Sequence, residues 1–464
     1  MKLAFSQLAA LISVFAVFSP AGFAYAGASP WPTRPVPLTE RSRPVFLPPA
    51  LSLPLPVPSA HGKIQHVVIV MQENRSFDDL FQGYPNADTQ SYGYDTNGNK
   101  IPLHAVPLEA PYDIEHDIYS YFQSCNGTGS IPGTNCRMNG FNQEFTSCSG
   151  TCQDPQYGYV PPNEQTTYFN MASQYVLGDR MFTSHIDDSF ISHQYIIAAQ
   201  ANHAAAFPSG AWGCEGGVSD TVATLSQDRT VGSPYIRVCW DIPTLGQELD
   251  KAKKTWRFYA GQVYGDGGIW SSYQAIKSVY YGRDWKKDVI KPPGQFLTDV
   301  ANGHLANVTW VMPTWATSDH SGNASNQGPS WVASIVNAVG QSKFWKSSAI
   351  FVMWDEWGGW YDHVPPPYVD YDGLGMRVPL LVISAYAKQG YVSHVQYEHG
   401  SLLKFAEDQF GLGRLSAADA RANSPASDCF DFSKPARNFT PFAATYSARH
   451  FIDAPPDMRP PDSE

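Results

Sequence analysis

The sequence predicts an α/β fold in which a mostly parallel central sheet carries helices on both faces. Four short, continuously apolar runs are typical of strands that are buried on both faces. These runs cover residues 64–71, 308–312, 349–353 and 378–383. Stretches with the apolar spacing of helices cover residues 165–175, 242–253, 330–340 and 401–410. Buried strands that alternate with helices indicate parallel pairing.

Composition places the chain among globular proteins and argues against binding to nucleic acid. Of its 464 residues, 14% are aromatic and only 16% are charged, whereas disordered chains have few aromatic residues and a high net charge. The formal net charge is −11, and nucleic-acid backbones are bound by clustered Lys and Arg. We therefore expect no nucleic-acid partner, and no feature of the sequence implies an obligate protein partner.

The N-terminus predicts export. Met1 and Lys2 form a short positive segment, residues 8–18 are apolar but too few to span a bilayer, and a small-residue motif ends at Ala26. We expect residues 1–26 to be a signal peptide that is cleaved near Ala26, which makes the mature chain secreted or periplasmic. The alternative is an uncleaved anchor or a buried N-terminal helix.

The rest of the chain divides into three segments by composition. A Pro-rich leader is expected at 27–62, because Pro excludes regular helices and central strands. The catalytic domain follows at 63–412, and a C-terminal extension at 413–464 is expected to pack on the core. Long polar insertions at 84–163 and 204–240 are expected at the edges of the sheet.

The cysteines agree with an oxidising compartment, because all seven follow the predicted signal peptide. Cys214 and Cys239 are expected to pair and close one loop. The connectivity of four others, clustered upstream, stays open. Cys148 and Cys152 are interpreted as disulfide cysteines, because no zinc-ligand pair follows them. An odd count leaves one thiol free, and Cys429, alone near the C-terminus, is the candidate.

Polar side chains directly follow three of the four predicted strands. Glu73 and Asn74 come after the first strand, His320 follows the second, and Asp355 and Glu356 come after the third. Open parallel sheets bind their ligands beyond the carboxyl ends of the strands. We therefore expect these side chains to form a site at that edge of the sheet.

Four of them provide a set of oxygen ligands: Glu73, Asn74, Asp355 and Glu356. Adjacent carboxylates repel each other unless a cation lies between them. Oxygen ligands suit Ca²⁺ or Mg²⁺, and a nearby histidine would also admit Zn²⁺ or iron. The alternative is that Glu73 merely stabilises a helix start and that the two acids lie in a solvated turn. The glycines at 358–359 allow close backbone approach and favour the metal site.

Residue chemistry alone leaves the remaining roles open. His116, His193, His320 and His363 each stand beside an acid or in a polar turn, so ligand, phosphate-binding and structural roles all apply. Ser189 follows two acids, and its chemistry alone favours a helix cap over a nucleophile. No Gly-x-Ser-x-Gly elbow and no Gly-rich nucleotide-binding motif occurs in the sequence.

Three segments together resemble a known family. Residues 66–78 resemble the opening signature of the bacterial phosphoesterase family that holds phosphatidylcholine-type phospholipases C and related acid phosphatases. Residues 354–367 resemble its second signature, and residues 189–195 are similar to its nucleophile segment. His320 precedes the second signature much as a family histidine does. The resemblance covers about residues 63–412.

The resemblance implies an alkaline-phosphatase-like core and a phosphoesterase that acts on phosphate esters or phospholipids, the latter with transient contact to a membrane surface. It implies one divalent metal ion, with Ser189 as nucleophile and with histidines that contact phosphate oxygens or protonate the leaving group. The implied ligands are Glu73, Asn74, Asp355 and Glu356, and the implied histidines are His116, His320 and His363. Monoester and diester substrates are not separable. The alternative is a catalytically inactive secreted protein that binds lipid or glycan on the same fold.

Overall fold

A computed structural model of the chain describes residues 62–150, 152–208, 212–261 and 268–456. The predicted signal peptide and the leader up to residue 61 lie outside the described residues. The strands among the described residues are, in chain order, β1 (His66–Gln72), β2 (Tyr92–Tyr94), β3 (Lys100–Pro102), β4 (His104–Ala105), β5 (Gly158–Tyr159), β6 (Val176–Phe182), β7 (Ala204–Ala205), β8 (Thr221–Leu225), β9 (Val231–Arg237), β10 (Trp256–Tyr259), β11 (Val289–Ile290), β12 (Val308–Val311), β13 (Ser348–Trp354), β14 (Arg377–Ser384), β15 (Tyr391–Ser393) and β16 (Tyr397–Glu398). The α-helices are α1 (Phe77–Phe81), α2 (Ile118–Cys125), α3 (Thr166–Gln174), α4 (Ser189–Ala198), α5 (Leu245–Lys251), α6 (Lys277–Tyr280), α7 (Asp284–Lys287), α8 (Gln295–Ala301), α9 (Gly328–Gly340), α10 (His399–Phe410), α11 (Ala417–Arg421) and α12 (Ala448–Asp453).

Nine strands form the central sheet, in the order β11-β10-β12-β1-β13-β14-β6-β15, and β16 also pairs with β6. β1 lies between β12 and β13 and is parallel to both. β14 is antiparallel to β13 and to β6, while the remaining pairs of this sheet are parallel. The predicted α/β fold with a mostly parallel sheet is confirmed, with β14 as the exception in direction.

The apolar runs identify four strands of the central sheet. All four predicted strands are present, as β1, β12, β13 and β14, and the four predicted helices are α3, α5, α9 and α10. The same criterion misses β6, because Asp179 and Arg180 interrupt its apolar residues. It also misses the four-residue strand β10, which contains Arg257. Short strands and strands with buried charge therefore fall below what an apolar run can reveal.

Helix α4 lies entirely inside the protein. All ten of its residues are buried, although they include Ser189, Ser192, His193 and Gln194. Buried polar side chains are costly unless they find partners. Three of the polar side chains of α4 are paired at the carboxyl ends of β1 and β13, as described below.

The two long insertions carry secondary structure of their own. The insertion at 84–163 contains the small pairs β2-β3 and β4-β5 together with α2, and the insertion at 204–240 contains the antiparallel sheet β7-β8-β9. The first insertion does more than flank the sheet, because it carries His116 into contact with Asn74 just beyond β1. The insertion therefore contributes a side chain at the carboxyl edge of the sheet.

Disulfides agree with the cysteine predictions. Cys214 pairs with Cys239, Cys148 pairs with Cys152, and the connectivity that the sequence left open is completed by Cys125 and Cys136. Cys429 is free and buried, and its thiol lies 3.4 Å from the hydroxyl of Tyr397. Burial raises the pKa of the Cys429 thiol to about 12.

The described part of the C-terminal segment lies against the central core. Four aromatic residues of this segment belong to the main core cluster: Phe430, Phe432, Phe442 and Phe451. The indole of Trp345 donates a 2.7 Å hydrogen bond to the carbonyl of Arg437. The division of the chain at residue 413 stays a prediction. Within the described ranges, no helix has both the length and the apolar character needed to cross a membrane.

Candidate active site

The carboxyl ends of β1 and β13 bring two of the predicted segments together. The two strands are adjacent and parallel, and Gln72 is in register with Trp354. The Asp355 amide donates to the Gln72 carbonyl over 3.0 Å, and the Asn74 amide donates to Oδ1 of Asp355 over 2.9 Å. Glu73 and Asp355 are both 0% exposed. The expected meeting of these two segments is therefore present.

Ser189 is the first residue of α4, and the N-cap position belongs to Asp188. The Ser189 hydroxyl faces Asn74, whose side-chain nitrogen lies 3.3 Å from Ser189 Oγ. The simple interpretation of Ser189 as a helix cap therefore does not describe its contacts. A hydroxyl at a helix N-terminus also lies in the positive end of the helix dipole, which stabilises negative charge there.

One face of α4 carries three polar side chains that reach the strand ends. Ser189, Ser192 and His193 are spaced by three and four positions, so they share one side of the helix. Ser192 donates to the carbonyl of Asp355 over 2.6 Å. His193 Nε2 lies 3.1 Å from Oε1 of Glu73 and 3.8 Å from Oδ2 of Asp355. α4 therefore contacts both strand ends at once.

His193 presents a lone pair to these two carboxylates. Its Nδ1 lies 3.1 Å from the carbonyl of Trp270, which can only accept, so the ring proton belongs on Nδ1. Burial lowers the pKa of His193 to about 4, although the charge of Asp355 opposes that shift. A neutral ring then directs Nε2 toward Glu73 and Asp355 as an electron-pair donor. Three electron-pair donors therefore converge at this point.

These donors fit a divalent cation. One atom each of Glu73, His193 and Asp355 lies within 4.8 Å of the other two. Among the described residues, Oδ2 of Asp355 and Oε1 of Glu356 are buried and accept no hydrogen bond. Orphaned buried carboxylate oxygens are costly unless a cation compensates them. The donor set, with carboxylates and an imidazole, is one that Zn²⁺ or iron accepts as well as harder ions.

Glu356 and His116 form the other side of the site. His116 Nε2 lies 3.5 Å from Oε1 of Glu356 and 2.7 Å from the Asn74 side-chain nitrogen. His116 Nδ1 faces the carbonyl of Ile114 over 2.7 Å, which places the proton of a neutral ring on Nδ1. Burial raises the pKa of Glu356 to about 8, against the opposing effect of His116 and with a further rise from Asp355.

Backbone conformation at this edge explains part of the local sequence. Asn74 has a φ of 58°, in the left-handed region that Asn tolerates better than most residues. Gly358 has a φ of 61°, and a Cβ there would lie 2.3 Å from the carbonyl oxygen of Asn74. Only glycine therefore allows the second segment to pack directly on Asn74.

His320 lies beside His116. The two ring centroids are 5.5 Å apart in an edge-on arrangement, and the ring of Trp315 also contacts His320, with the centroids 4.7 Å apart. His320 Nδ1 faces the carbonyl of Ser321, which assigns that nitrogen the proton of a neutral ring. Asn74 contacts both Ser189 and His116, and His116 contacts His320. The structure thus brings these predicted residues to one place.

His363 belongs to a second cluster of charged residues. Its Nδ1 lies 2.6 Å from Oδ2 of Asp78, and its Nε2 lies 3.1 Å from Oδ1 of Asp88. Arg377 lies in the same cluster, 3.1 Å from Asp362 and 3.3 Å from Asp78. The guanidinium compensates part of this negative charge, and ligand atoms of Asp78, Asp362 and His363 also lie within 4.8 Å of one another. The predicted contact between His363 and phosphate stays a prediction.

The sequence indicates His193 as a candidate without a defined role, and it indicates none for Ser192. The signal that could have found them is the helical spacing from Ser189, which places both residues on its side of α4. That inference requires knowing that residues 189–198 form a helix. Their continuous burial hides the amphipathic pattern that usually reveals one.

Comparison with known proteins agrees with the chemistry of this site. The chain matches the Phosphoesterase family model over residues 64–413. Phospholipase C B of Mycobacterium tuberculosis is 25% identical over 421 residues, which cover 77% of this chain and 75% of that protein. Non-specific phospholipase C1 of Arabidopsis thaliana is 24% identical over 428 residues, covering 79% and 73%.

A protein of the alkaline phosphatase superfamily from Vibrio parahaemolyticus has a similar structure. Its TM-score is 0.35 at 9% identity, and the match covers 81% of this chain and 71% of that one. That score is too low to support an argument, so the assignment depends on the sequence match. The family match and these relatives identify the chain as a hydrolase that acts on phosphoric ester bonds. The chain belongs to the phosphoesterase family, as its signatures predicted.

Proposed function

We propose that this chain is an exported, metal-dependent phosphoesterase of the phospholipase C or acid phosphatase type that uses Ser189 as its nucleophile. The observation that carries the proposal is the position of Asn74. Its main chain contacts Asp355, and its side chain contacts Ser189 and His116. One residue therefore joins the carboxylates, the hydroxyl and a histidine, which is the combination that phosphoryl transfer requires.

The cation would be held by Glu73, Asp355 and Glu356, with His193 as a further donor. When bound, a divalent cation there compensates the charge of the transferring phosphoryl group and favours ionisation of the attacking hydroxyl. The resemblance implies Asn74 as a ligand, but its side-chain nitrogen contacts His116 and Ser189. Those contacts favour a role for Asn74 as a hydrogen-bond donor to a phosphate oxygen.

The residues of the chain would divide the reaction into two displacements. In the first, Ser189 Oγ gives up its proton and attacks phosphorus, the bond from phosphorus to the leaving oxygen breaks, and the departing alcohol takes a proton. In the second, water attacks the phosphoserine, releases phosphate or a phosphorylated headgroup, and restores the hydroxyl. His116 and His320 are the candidates for moving these protons, since Nε2 of His116 points toward Asn74 at the nucleophile.

Export is supported by the disulfides, which form in oxidising compartments. The signal peptide at residues 1–26 stays a prediction, as does transient contact with a membrane surface. The alternative of an inactive binding protein is disfavoured, because an inactive protein has no need to keep Asn74 in contact with both Ser189 and Asp355. Relatives named phospholipases C favour a phosphodiester of a lipid as one substrate, and a monoester remains the second candidate.

The proposal is tested with Ser189→Ala and with Ser334→Ala as control. Ser334 is a buried helical serine whose hydroxyl donates to the carbonyl of Ser330 over 2.9 Å. Assays on p-nitrophenyl phosphate and on p-nitrophenylphosphorylcholine separate monoester from diester hydrolysis. We expect Ser189→Ala to lose about a thousandfold or more in kcat on the preferred substrate, and Ser334→Ala to keep it. Activity of Ser189→Ala at the control level would refute the nucleophile.

Metal dependence is tested by elemental analysis of the wild type and of Asp355→Asn after purification without chelator. We expect close to one equivalent of a divalent metal in the wild type and a large loss in the variant, because Asn removes the charge that holds the cation. A wild type that hydrolyses both substrates after exhaustive EDTA treatment would refute the metal requirement.

A further inference from the structure

Two buried side chains outside the predicted site, His185 and Ser192, connect the segment that carries Ser189 to the segment that carries Asp355. His185 is 3% exposed and Ser192 is 0% exposed. The main-chain amide of Asp187 donates to Nδ1 of His185 over 2.8 Å. His185 Nε2 lies 2.8 Å from Ser192 Oγ, and Ser192 Oγ lies 2.6 Å from the carbonyl oxygen of Asp355.

The direction of every hydrogen bond in this buried network is fixed by the donor at one end and the acceptor at the other. The Asp187 amide can only donate, so Nδ1 of His185 accepts and the ring proton belongs on Nε2. The Asp355 carbonyl can only accept, so the Ser192 hydroxyl donates to it and accepts from His185. Burial lowers the pKa of His185 well below its usual range, with His399 adding to the effect. The ring is therefore neutral, as this chain of donors requires.

These contacts complete the positioning of Asp355. Its amide donates to the carbonyl of Gln72, and its Oδ1 accepts from the amide of Asn74. Both restraints come from β1 and the residues that follow it. Ser192 supplies a restraint from α4, so the residue is fixed from two directions. The remaining atom, Oδ2, is buried without a hydrogen-bond partner among the described residues and is the one left for a cation.

The same helix ties this restraint to the nucleophile. Ser192 is three positions after Ser189 in α4, and His185 accepts from Asp187, two positions before Ser189. The chain of hydrogen bonds therefore starts in the turn that places Ser189 and ends on the main chain of Asp355. A shift of one end would move the other, because every link is buried and each atom in it has a fixed partner.

We propose that His185 and Ser192 are positioning residues that hold Asp355 in register with Ser189. The inference rests on the proposed function, because it concerns the distance between the nucleophile and the cation-binding carboxylate. Partners of this kind orient ligands without touching the metal, and losing one typically costs 10- to 100-fold in metal affinity or activity. Neither residue is expected to contact the substrate, so KM should change little.

The test compares Ser192→Ala with Ser192→Thr, which restores the hydroxyl, and with the control Ser334→Ala. Each EDTA-treated protein is titrated separately with Mg²⁺, Ca²⁺ and Zn²⁺, and binding is followed by calorimetry. Hydrolysis of p-nitrophenyl phosphate gives kcat and KM, and thermal unfolding of the metal-free proteins reports folding. His185→Phe breaks the same chain while keeping a ring of similar size, and it decides the question if Ser192→Ala does not fold.

We expect Ser192→Ala to bind the activating ion about 10- to 100-fold more weakly and to lose kcat by a similar factor, with KM within about twofold. Ser192→Thr should recover most of both losses. Affinity and kcat at the level of Ser334→Ala would overturn the inference, as would equal losses in Ser192→Ala and a well-folded Ser192→Thr. A wild type that binds none of the three ions would instead refute the proposed metal site, so the two failures are distinguishable.

Discussion

The main-chain amide of Asn74 donates to Oδ1 of Asp355 over 2.9 Å, although the two residues are 281 positions apart in the chain. This contact exists because β1 and β13 are neighbours in the sheet and end at the same edge. It places the residues after both strands around one buried point, where Glu73 and His193 also lie. A shared cation beside Ser189 is therefore geometrically reasonable.

Asn74 allows its backbone and side-chain roles to be separated. Its φ of 58° costs glycine little, whereas alanine in this region costs about 1 kcal/mol. Both Asn74→Gly and Asn74→Ala remove the amide that contacts His116 and Ser189. We expect both variants to lose about 100-fold in kcat, and Asn74→Ala to be less stable than Asn74→Gly by about 1 kcal/mol in urea unfolding. An active Asn74→Gly would show that the side-chain amide of Asn74 has no part in catalysis.

Gly358 should tolerate no side chain, because a Cβ there would lie 2.3 Å from the Asn74 carbonyl oxygen. Gly411 is the matched control, since its φ of 68° is similar and a Cβ added to it would have no atom within 4 Å. Gly411→Ala should cost only the left-handed conformation, about 1 kcal/mol. Gly358→Ala should cost a further 1–3 kcal/mol or so from the clash. Equal losses in the free energy of unfolding would contradict the close packing.

Arg377 is expected to be among the most sensitive buried positions of the fold. Its side chain is 0% exposed and lies 3.1 Å from Asp362 and 3.3 Å from Asp78. Arg377→Met leaves two buried carboxylates without their cation, which typically costs about 3–5 kcal/mol. Arg283→Met breaks an ion pair whose Arg is 77% exposed and should cost less than about 1 kcal/mol. Denaturant unfolding of both variants measures the difference, and a mild effect of Arg377→Met would refute the prediction.

His363 should make stability depend on pH. Burial lowers its pKa, but the hydrogen bond and charge of Asp78, with the charge of Asp362, outweigh burial and raise it above the usual value. A histidine whose pKa is raised on folding stabilises the protein fully below its unfolded pKa of about 6.5. That contribution is lost as pH rises through the folded pKa.

The free energy of unfolding of the wild type should therefore fall more between pH 6 and pH 9 than that of His363→Gln. Urea unfolding at four pH values and constant ionic strength measures both slopes. Parallel curves for the two proteins would show that His363 does not titrate in this range, and a large loss of kcat in His363→Gln with little loss of stability would support its predicted role at phosphate instead.

The strands that position the site are predictable from the sequence because they are buried on both faces. The apolar runs of β1 and β13 leave no alternative to burial, and the acids that follow them stand out against those runs. The direction of β14 is not predictable in the same way, since an antiparallel strand with eight buried residues has the same apolar pattern as a parallel one.

The contacts that side chains from other segments make at the site are harder to predict from the sequence. His116 reaches Asn74 from an insertion whose path follows no periodic pattern. His193 and Ser192 are identified only once α4 is known to be a helix. His363 contacts Asp78 and Asp88 rather than the carboxylates of the predicted metal site. Each of these relations depends on tertiary packing, which local propensity does not encode.

The buried sulfhydryl of Cys429 provides a chemical probe of local unfolding in the C-terminal segment. It is the single unpaired cysteine of the seven, all of which lie in the described ranges. Because the thiol is fully buried, alkylating reagents can reach it only when the segment around it opens. The rate at which this thiol is labelled in the unmodified enzyme would thus report how often the C-terminal segment opens, with no engineered probe required.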